Sequence, residues 1–303
     1  VTASITTTES IAELKTLTET SNAYTIVIAS ADATATAEDL SAIAGKTTGT
    51  INTSAVTAIT GTYDQITALY GSAGVDNLGD EAISISDTLT ITKANVIDGL
   101  TTGAITANIG NSRVSELVSG TPLLNANNNN AYTIAISSED AAVSASDLNT
   151  INDATTVAVD LTNVTSITSS SLTDLGILGT AIGNSEFSNA TGITTIALSD
   201  TTIDATTLAA TIDSIDTING GGTTLMTLAS GATINVAAGD DVAHMLLDET
   251  EQRLDIVDQN IVVTGNISVD NANLLSATTG GTVTASITTT ESIAELKTLT
   301  ETS

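Results

Sequence analysis

The chain of 303 residues has no cysteine and no tryptophan, and it has only one proline, four tyrosines and one phenylalanine. Without cysteine, the chain can form neither disulfides nor thiolate metal sites. Because aromatic side chains are scarce, a core must be built from Val, Ile, Leu and Ala, which favours thin, regular layers over a thick interior. The single histidine, His244, also excludes a histidine-rich transition-metal site.

Positive charge is the other scarce property. Six Lys and Arg residues face 35 Asp and Glu residues, which gives a formal net charge of −29. Nucleic acids and anionic membrane surfaces require a basic surface, so we expect neither as a partner. No apolar run approaches the roughly 18 residues that would span a bilayer, so we expect no membrane insertion.

The sequence is rich in threonine and in small aliphatic residues. Threonine supplies 59 residues, and 41% of the chain is hydrophobic, so the composition is that of a folded chain rather than a disordered one. Apolar residues alternate at 83–85, 234–236 and 261–263, which indicates half-buried strands. Short helical signatures occur at 37–43 and 145–151. These patterns predict a mainly β chain, specifically a parallel β-solenoid with short helices in many coils; a string of β-sandwich adhesin domains, built from antiparallel hairpins, remains the alternative.

The first 21 residues recur without a single change. The segment VTASITTTESIAELKTLTETS occupies Val1–Ser21 and again Val283–Ser303. Chance does not produce such an identity, so the spacing of 282 residues predicts a module length. We expect residues 1–282 to form one full tandem module of about eleven strand–helix coils, and residues 283–303 to be the start of the next. A shorter sequence, Asn-Ala-Tyr-Thr-Ile, also occurs twice, at Asn22–Ile26 and at Asn130–Ile134.

One stretch also resembles a known family. The stretch Val56–Thr88 resembles the pattern V-T-x-[LI]-[ST]-G-T … A-Y-x-S-A-G-[IV] … L-G-x-E-A-[VI]-x-[LI]-S-D-T, which is echoed at Leu198–Thr201. This pattern is similar to the repeats of giant surface proteins from marine cyanobacteria, a group that includes a protein needed for swimming without flagella. The resemblance implies an extracellular, structural role and supplies no catalytic residues.

The sequence offers little that could carry catalysis. His244 is the only candidate base of a catalytic triad, and no G-x-S-x-G nucleophile motif occurs. We therefore do not expect an enzyme, and we expect no required cofactor.

Calcium is the one ion for which the sequence has candidate ligands, because acidic turns provide the oxygen atoms that it prefers. None of these turns fits an EF-hand loop, and for each individual turn we favour a solvated acidic turn over a calcium site. The candidate ligands are Asp76, Asp80, Glu81, Glu139, Asp140, Asp240 and Asp241.

These observations together favour an extracellular structural protein on a bacterial cell surface. We expect it to form a fibre or filament by end-to-end stacking, with copies of itself or neighbouring modules as its partners. The alternatives are the stalk of a calcium-stiffened adhesin and a surface-layer lattice protein.

Overall fold

The computed structural model describes residues 1–5, 9–18, 20–110, 113–118, 129–218 and 225–300. Within those residues the chain forms twenty strands and eleven α-helices. It divides into two compact units, of which the first comprises Val1–Ala135 with Ile151–Val159 and the second Ile136–Thr150 with Asp160–Ser303.

The first unit contains two sheets and five helices. Its strands are β1 (Thr2–Ile5), β2 (Ala23–Val27), β3 (Thr34–Thr36), β4 (Ile51–Asn52), β5 (Ala58–Gly61), β6 (Val75–Asp76), β7 (Ala82–Leu89), β8 (Ile105–Ile109) and β9 (Ala131–Thr133). Its helices are α1 (Ile11–Leu14), α2 (Ala37–Ala44), α3 (Tyr63–Tyr70), α4 (Ile91–Asp98) and α5 (Val114–Val118). The strand orders are β1-β2-β4-β6 and β3-β5-β7-β8-β9, so the chain alternates between the sheets from β2 to β7.

The second unit is built in the same way. Its strands are β10 (Ala142–Val143), β12 (Ser166–Ser170), β13 (Phe187–Ser188), β14 (Thr195–Leu198), β15 (Thr202–Asp204), β16 (Leu225–Thr227), β17 (Thr233–Ala237), β18 (Leu254–Asp255), β19 (Asn260–Ile267) and β20 (Val283–Ile287). Its helices are α7 (Leu172–Gly183), α8 (Ala205–Ile218), α9 (Asp240–Thr250), α10 (Val269–Thr278) and α11 (Ile293–Leu296), while α6 (Ala145–Asp153) and β11 (Val159–Asp160) each have residues in both units. The strand orders are β10-β12-β14-β16-β18, β15-β17-β19-β20 and β11-β13.

The parallel pairing stacks aliphatic side chains in columns. In the second unit, Ile203 is paired with Ile234, Ile234 with Ile261, and Ile261 with Val283. The first three of these side chains are at most 1% exposed. A β-branched residue at the same position of successive strands fills the space between neighbours without an aromatic ring, and this is how a chain with so few aromatics builds its core.

Hydroxyl side chains start the helices and glycines end several of them. The Thr62 side chain accepts a hydrogen bond from the Gln65 amide, and the Gln65 side chain accepts one from the Thr62 amide, which forms a capping box at the start of α3. Such a cap satisfies amides that have no partner within the helix. Helix α3 ends at Gly71, and α4 ends at Gly99.

A buried threonine joins successive strand–helix units. The Thr101 hydroxyl donates to the Glu81 carbonyl at 2.7 Å and accepts from the Gly103 amide at 2.9 Å. The same pair of bonds is made by Thr47 with Tyr24 and Gly49, by Thr155 with Tyr132 and Val157, and by Thr279 with Gln259 and Gly281. We call this arrangement the threonine clip. It explains why Thr47-Thr-Gly49 and Thr101-Thr-Gly103 echo each other in the sequence.

The predicted fold class is wrong, although several local predictions are confirmed. The predicted strands at 83–85, 234–236 and 261–263 lie in β7, β17 and β19, and the predicted helices at 37–43 and 145–151 lie in α2 and α6. However, 34% of the chain is helical and 29% is strand, so the fold is mixed α/β and not mainly β. The designations β-solenoid and tandem repeat are therefore not supported.

The reason for the error is that long helices were not predicted. Helix α2, with 8 residues, is about as long as predicted, but α7 and α8 extend for 12 and 14 residues where no helix was predicted, because apolar residues keep a helical spacing along them. The β-sandwich alternative is also wrong, since the strand pairs whose registers are described are parallel.

The threonine clip predicts which glycine resists substitution. A Cβ at position 103 would collide with the Glu81 carbonyl, whereas a Cβ at position 99 would meet its nearest neighbour at 3.5 Å. We expect Gly103→Ala to lower the free energy of unfolding by about 1–3 kcal/mol. The control Gly99→Ala should change it by less than about 0.5 kcal/mol. Urea denaturation measures both, and equal effects would contradict the prediction.

Candidate functional site

The two identical segments occupy edge strands of different sheets. We call residues 1–21 the first copy and residues 283–303 the second copy. In the first copy, β1 is terminal in its sheet and is paired with β2, which follows it in the chain. In the second copy, β20 is terminal in its sheet and is paired with β19, which precedes it. The same strand sequence therefore pairs through one of its edges in the first copy and through the opposite edge in the second copy.

The local structure of the two copies is the same. Ser10 and Glu13 form a capping box at the start of α1, and Ser292 and Glu295 form the equivalent box at the start of α11. In both boxes, hydrogen bonds from the serine hold the pKa of the glutamate below its usual value. Sequence alone thus determines the conformation of this short helix, whatever packs against it.

The apolar face of the helix is buried in one copy only. Ile11 is 9% exposed, while its counterpart Ile293 is 75% exposed. Leu14 is 2% exposed, while its counterpart Leu296 is 41% exposed. The difference must come from tertiary neighbours, because the sequence and the capping are the same.

Polar contacts attach the first copy to the segment that follows it. The Ile11 amide donates to Asp32 Oδ2 at 2.9 Å, and Lys15 Nζ forms an ion pair with Asp39 at the start of α2. The hydrogen bond from Lys15 holds the pKa of Asp39 below its usual value. The residues after the first copy therefore provide strand pairing, apolar cover and two carboxylates to it.

The calcium candidates of the first unit do not form one cluster. Asp76, in β6, and Asp80 are exposed, but Glu81 is fully buried. Glu81 Oε2 accepts hydrogen bonds from the Tyr70 hydroxyl at 2.7 Å and from the Gly79 amide at 2.8 Å. Glu81 therefore faces the interior, where it serves as a hydrogen-bond acceptor.

The other candidates lie in the second unit. Glu139 is exposed and Asp140 is half-buried, in the turn after Ser137. Asp240 and Asp241 begin α9, and their side chains lie outside the described residues. Across the parts of the chain that the structure describes, no group of three His, Cys, Asp or Glu residues is arranged to hold a metal ion. Calcium binding stays a prediction.

Two tyrosines, one half-buried and one fully buried, form hydrogen-bond networks that the sequence did not predict. Burial, and then the adjacent Glu81, holds the pKa of Tyr70 far above its usual value. Tyr132 is fully buried, and Asn130 Nδ2 donates both to its hydroxyl at 3.1 Å and to Asp98 Oδ1 at 2.7 Å. The recurring sequence Asn-Ala-Tyr-Thr-Ile could have predicted the Asn130–Tyr132 contact. In its first occurrence Asn22 likewise donates to the hydroxyl of Tyr24, two residues later.

An acidic residue on α9 is buried against an arginine. Asp248 is 1% exposed, and its Oδ1 lies 2.8 Å from Arg253 Nη2, which also contacts Asp213 Oδ1 at 3.0 Å. Burial raises the pKa of Asp248, and the positive charge of Arg253 partly opposes that rise. His244 lies one turn earlier on the same helix and is half-buried.

Comparisons with known proteins give no relative. No family model, no curated protein and no solved structure matches this chain. Among the residues that the structure describes, no helix is both long enough and apolar enough to cross a membrane.

The buried acceptor at position 81 can be tested by two substitutions of similar size. Glu81→Leu removes the acceptor of two donors on half-buried residues, the Tyr70 hydroxyl and the Gly79 amide. A fully buried donor left without an acceptor costs about 1–3 kcal/mol, which is the upper bound for each of these. Glu81→Gln keeps an acceptor oxygen at that place. We expect a clear loss of unfolding free energy for Glu81→Leu and a much smaller one for Glu81→Gln. Equal losses in urea denaturation would refute this role.

The raised pKa of Asp248 predicts that the stability of the fold depends on pH. Its pKa is higher in the folded chain than in the unfolded chain, so the folded state binds more protons between those two values. Its contribution to the free energy of unfolding should therefore fall as the pH rises through the raised pKa. Asp248→Asn removes this dependence. As the pH rises above about 4, we expect the free energy of unfolding of the parent chain to fall relative to that of Asp248→Asn. Urea denaturation of both proteins at several pH values measures this difference.

Proposed function

We propose that this chain is an extracellular structural protein that forms a fibre or filament on a bacterial cell surface by end-to-end association. The observation that carries the proposal is the exact recurrence of residues 1–21 at 283–303, where both copies form a parallel-paired strand and the same capped helix, so that one pairing surface is present twice in the chain. An edge strand is a template for pairing with another chain, and a head-to-tail contact that does not close into a ring grows into a filament.

The charge of the chain supports this role. With a net charge of −29, isolated chains repel one another in dilute buffer. At the ionic strength of physiological or more saline media, the Debye length falls to about 8 Å or less, and short-range strand pairing can act. The same charge keeps the sides of an assembly solvated, which favours growth at the ends.

The similarity of residues 56–88 to repeats of surface proteins from marine cyanobacteria supports an extracellular location. We propose kinship with that group on this basis. Within this stretch, the Gly61 backbone lies next to the capping box of α3, and Leu78–Glu81 form the turn that places Glu81 against Tyr70. The residues that match the pattern therefore stabilise the fold, and we infer no catalytic role from the similarity.

Association and location can each be measured. We expect sedimentation velocity to show species that grow with concentration and with salt, and electron microscopy to show linear assemblies. An antibody against the chain should label intact source cells. Chains that stay monomeric at every concentration and salt level, or that antibodies reach only after cell lysis, would refute the proposal.

A further inference from the structure

We propose that Asn266 is the attachment site of an N-linked sugar. It begins the triplet Asn266-Ile-Ser268, which has the form Asn-X-Ser/Thr that asparagine glycosyltransferases recognise. We call each such triplet a sequon. Four sequons occur in the chain, and the structure distinguishes among them. The inference goes beyond the proposed function, because a covalent modification can be measured whether or not the chains associate.

Two of the sequons begin with an asparagine whose side-chain nitrogen the fold already uses. Asn163 Nδ2 donates to the Ile136 carbonyl at 2.8 Å, and Asn189 Nδ2 donates to Asp160 Oδ1 at 2.9 Å. The second bond is the main reason that the pKa of Asp160 lies below its usual value. A sugar on Nδ2 replaces a hydrogen and fills the space beside it. A sugar at either position would therefore compete with the bond that holds the side chain in place.

A third sequon begins with an asparagine that is held by two hydrogen bonds. Asn52 lies in β4 and is half-buried. Its Oδ1 accepts from the Ser54 amide at 2.9 Å and from Asn77 Nδ2 at 3.0 Å. These bonds fix the plane of the Asn52 amide, which restricts the rotation that a bulky substituent on it would need.

Asn266 differs from the other three asparagines. Its side chain is exposed and makes no hydrogen bond to the described part of the chain. It lies in β19, between β17 and β20, but the pairing with β17 ends at Ala237 and Thr264. On the other side it is paired with Ser286, which is small and exposed. Described strands on both sides therefore leave space for a substituent.

A bulge in β19 produces this exposure. From Val262 to Asn266 the strand advances four residues, while its partner β20 advances two, from Thr284 to Ser286. Gly265 has a φ of 99°, a conformation that glycine adopts without strain. Residues 264–266 are all exposed, where a regular strand would alternate between buried and exposed residues. The bulge thus presents Asn266 to solvent.

The equivalent bulge in the first unit is used for folding. Strand β7 shifts its register against β8 by the same number of residues. There Asp87 Oδ1 accepts from the Tyr63 amide at 2.9 Å, at the start of α3. Gly265 occupies the corresponding position in β19 and has no side chain with which to make such a bond. The bulge of β19 therefore lacks the anchor of the β7 bulge.

The third residue of the sequon also begins a helix. Ser268 is the N-cap of α10, and its side chain accepts from the Asn271 amide at 3.2 Å. A hydroxyl has one hydrogen and two lone pairs, so this cap uses a lone pair and not the hydrogen. Aspartate caps a helix about as well as serine but has no hydroxyl. Ser268→Asp therefore removes the sequon and keeps the cap, whereas Ser268→Thr keeps both.

The modification forms one bond and breaks another. Asn266 Nδ2 bonds to the anomeric carbon of a sugar that is activated as a phosphate ester. The bond between that carbon and the phosphate oxygen breaks, the phosphate leaves with the electron pair, and Nδ2 loses a proton. The donor is a nucleotide-linked or polyprenol-linked sugar, and a glycosyltransferase of the source cell is the catalyst.

Peptide mapping by mass spectrometry of protein isolated from its source cells tests the proposal. We expect the peptide that contains Asn266 to be heavier than its sequence by a whole number of sugar residues. Asn266→Gln and Ser268→Asp should abolish the addition, and Ser268→Thr should keep it. An unmodified Asn266 in the parent protein, or an addition that Ser268→Asp leaves in place, would overturn the inference.

A second experiment tests whether the fold tolerates a large group at this position. The chain has no cysteine, so Asn266→Cys and Asn163→Cys can each be coupled to a maleimide-linked polyethylene glycol. We expect coupling at position 266 to leave the urea midpoint unchanged and coupling at position 163 to lower it, each relative to the same variant before coupling. Equal shifts would overturn the inference. Neither experiment requires association, so monomeric chains that carry the sugar would refute the proposed function alone.

Discussion

The structure depends on parallel strand pairing in which aliphatic side chains of successive strands lie at the same position. The column Ile203, Ile234, Ile261 and Val283 shows how this pairing buries β-branched residues against one another. A chain with five aromatic residues cannot bury large areas with a few rings, so it must repeat a small contact many times. Register is therefore the critical constraint, since a slip of one residue would turn each column toward solvent.

The threonine clip helps to fix that register where the chain enters a strand, since each clip threonine lies shortly before β4, β8, β11 or β20. Its hydroxyl is buried, so it must be satisfied on both sides, and it connects a carbonyl of one strand–helix unit to an amide of the next. In three of the four clips a glycine two residues later allows a close backbone approach, while Val157 occupies that position in the fourth. Side-chain hydroxyls thus do in this protein what aromatic packing or disulfides do elsewhere.

The duplicated segment separates local from tertiary effects within one molecule. Its two copies share a capping box and a short helix, yet Leu14 is buried and Leu296 is exposed. The conformation of this segment is therefore set by its own residues, and only its burial depends on what packs against it.

The sequence by itself determined the local elements, since alternation at 234–236 and helical spacing at 37–43 act within a few residues. It also identified the duplication, and through the Asn-Ala-Tyr recurrence it contained a signal for the buried tyrosines. It did not determine the fold class, because helix length depends on how long an apolar stripe finds something to pack against. Only the tertiary structure decided that Glu81 is a buried acceptor, and that one copy of the segment is covered while the other is exposed, because burial is a property of neighbours distant in the chain.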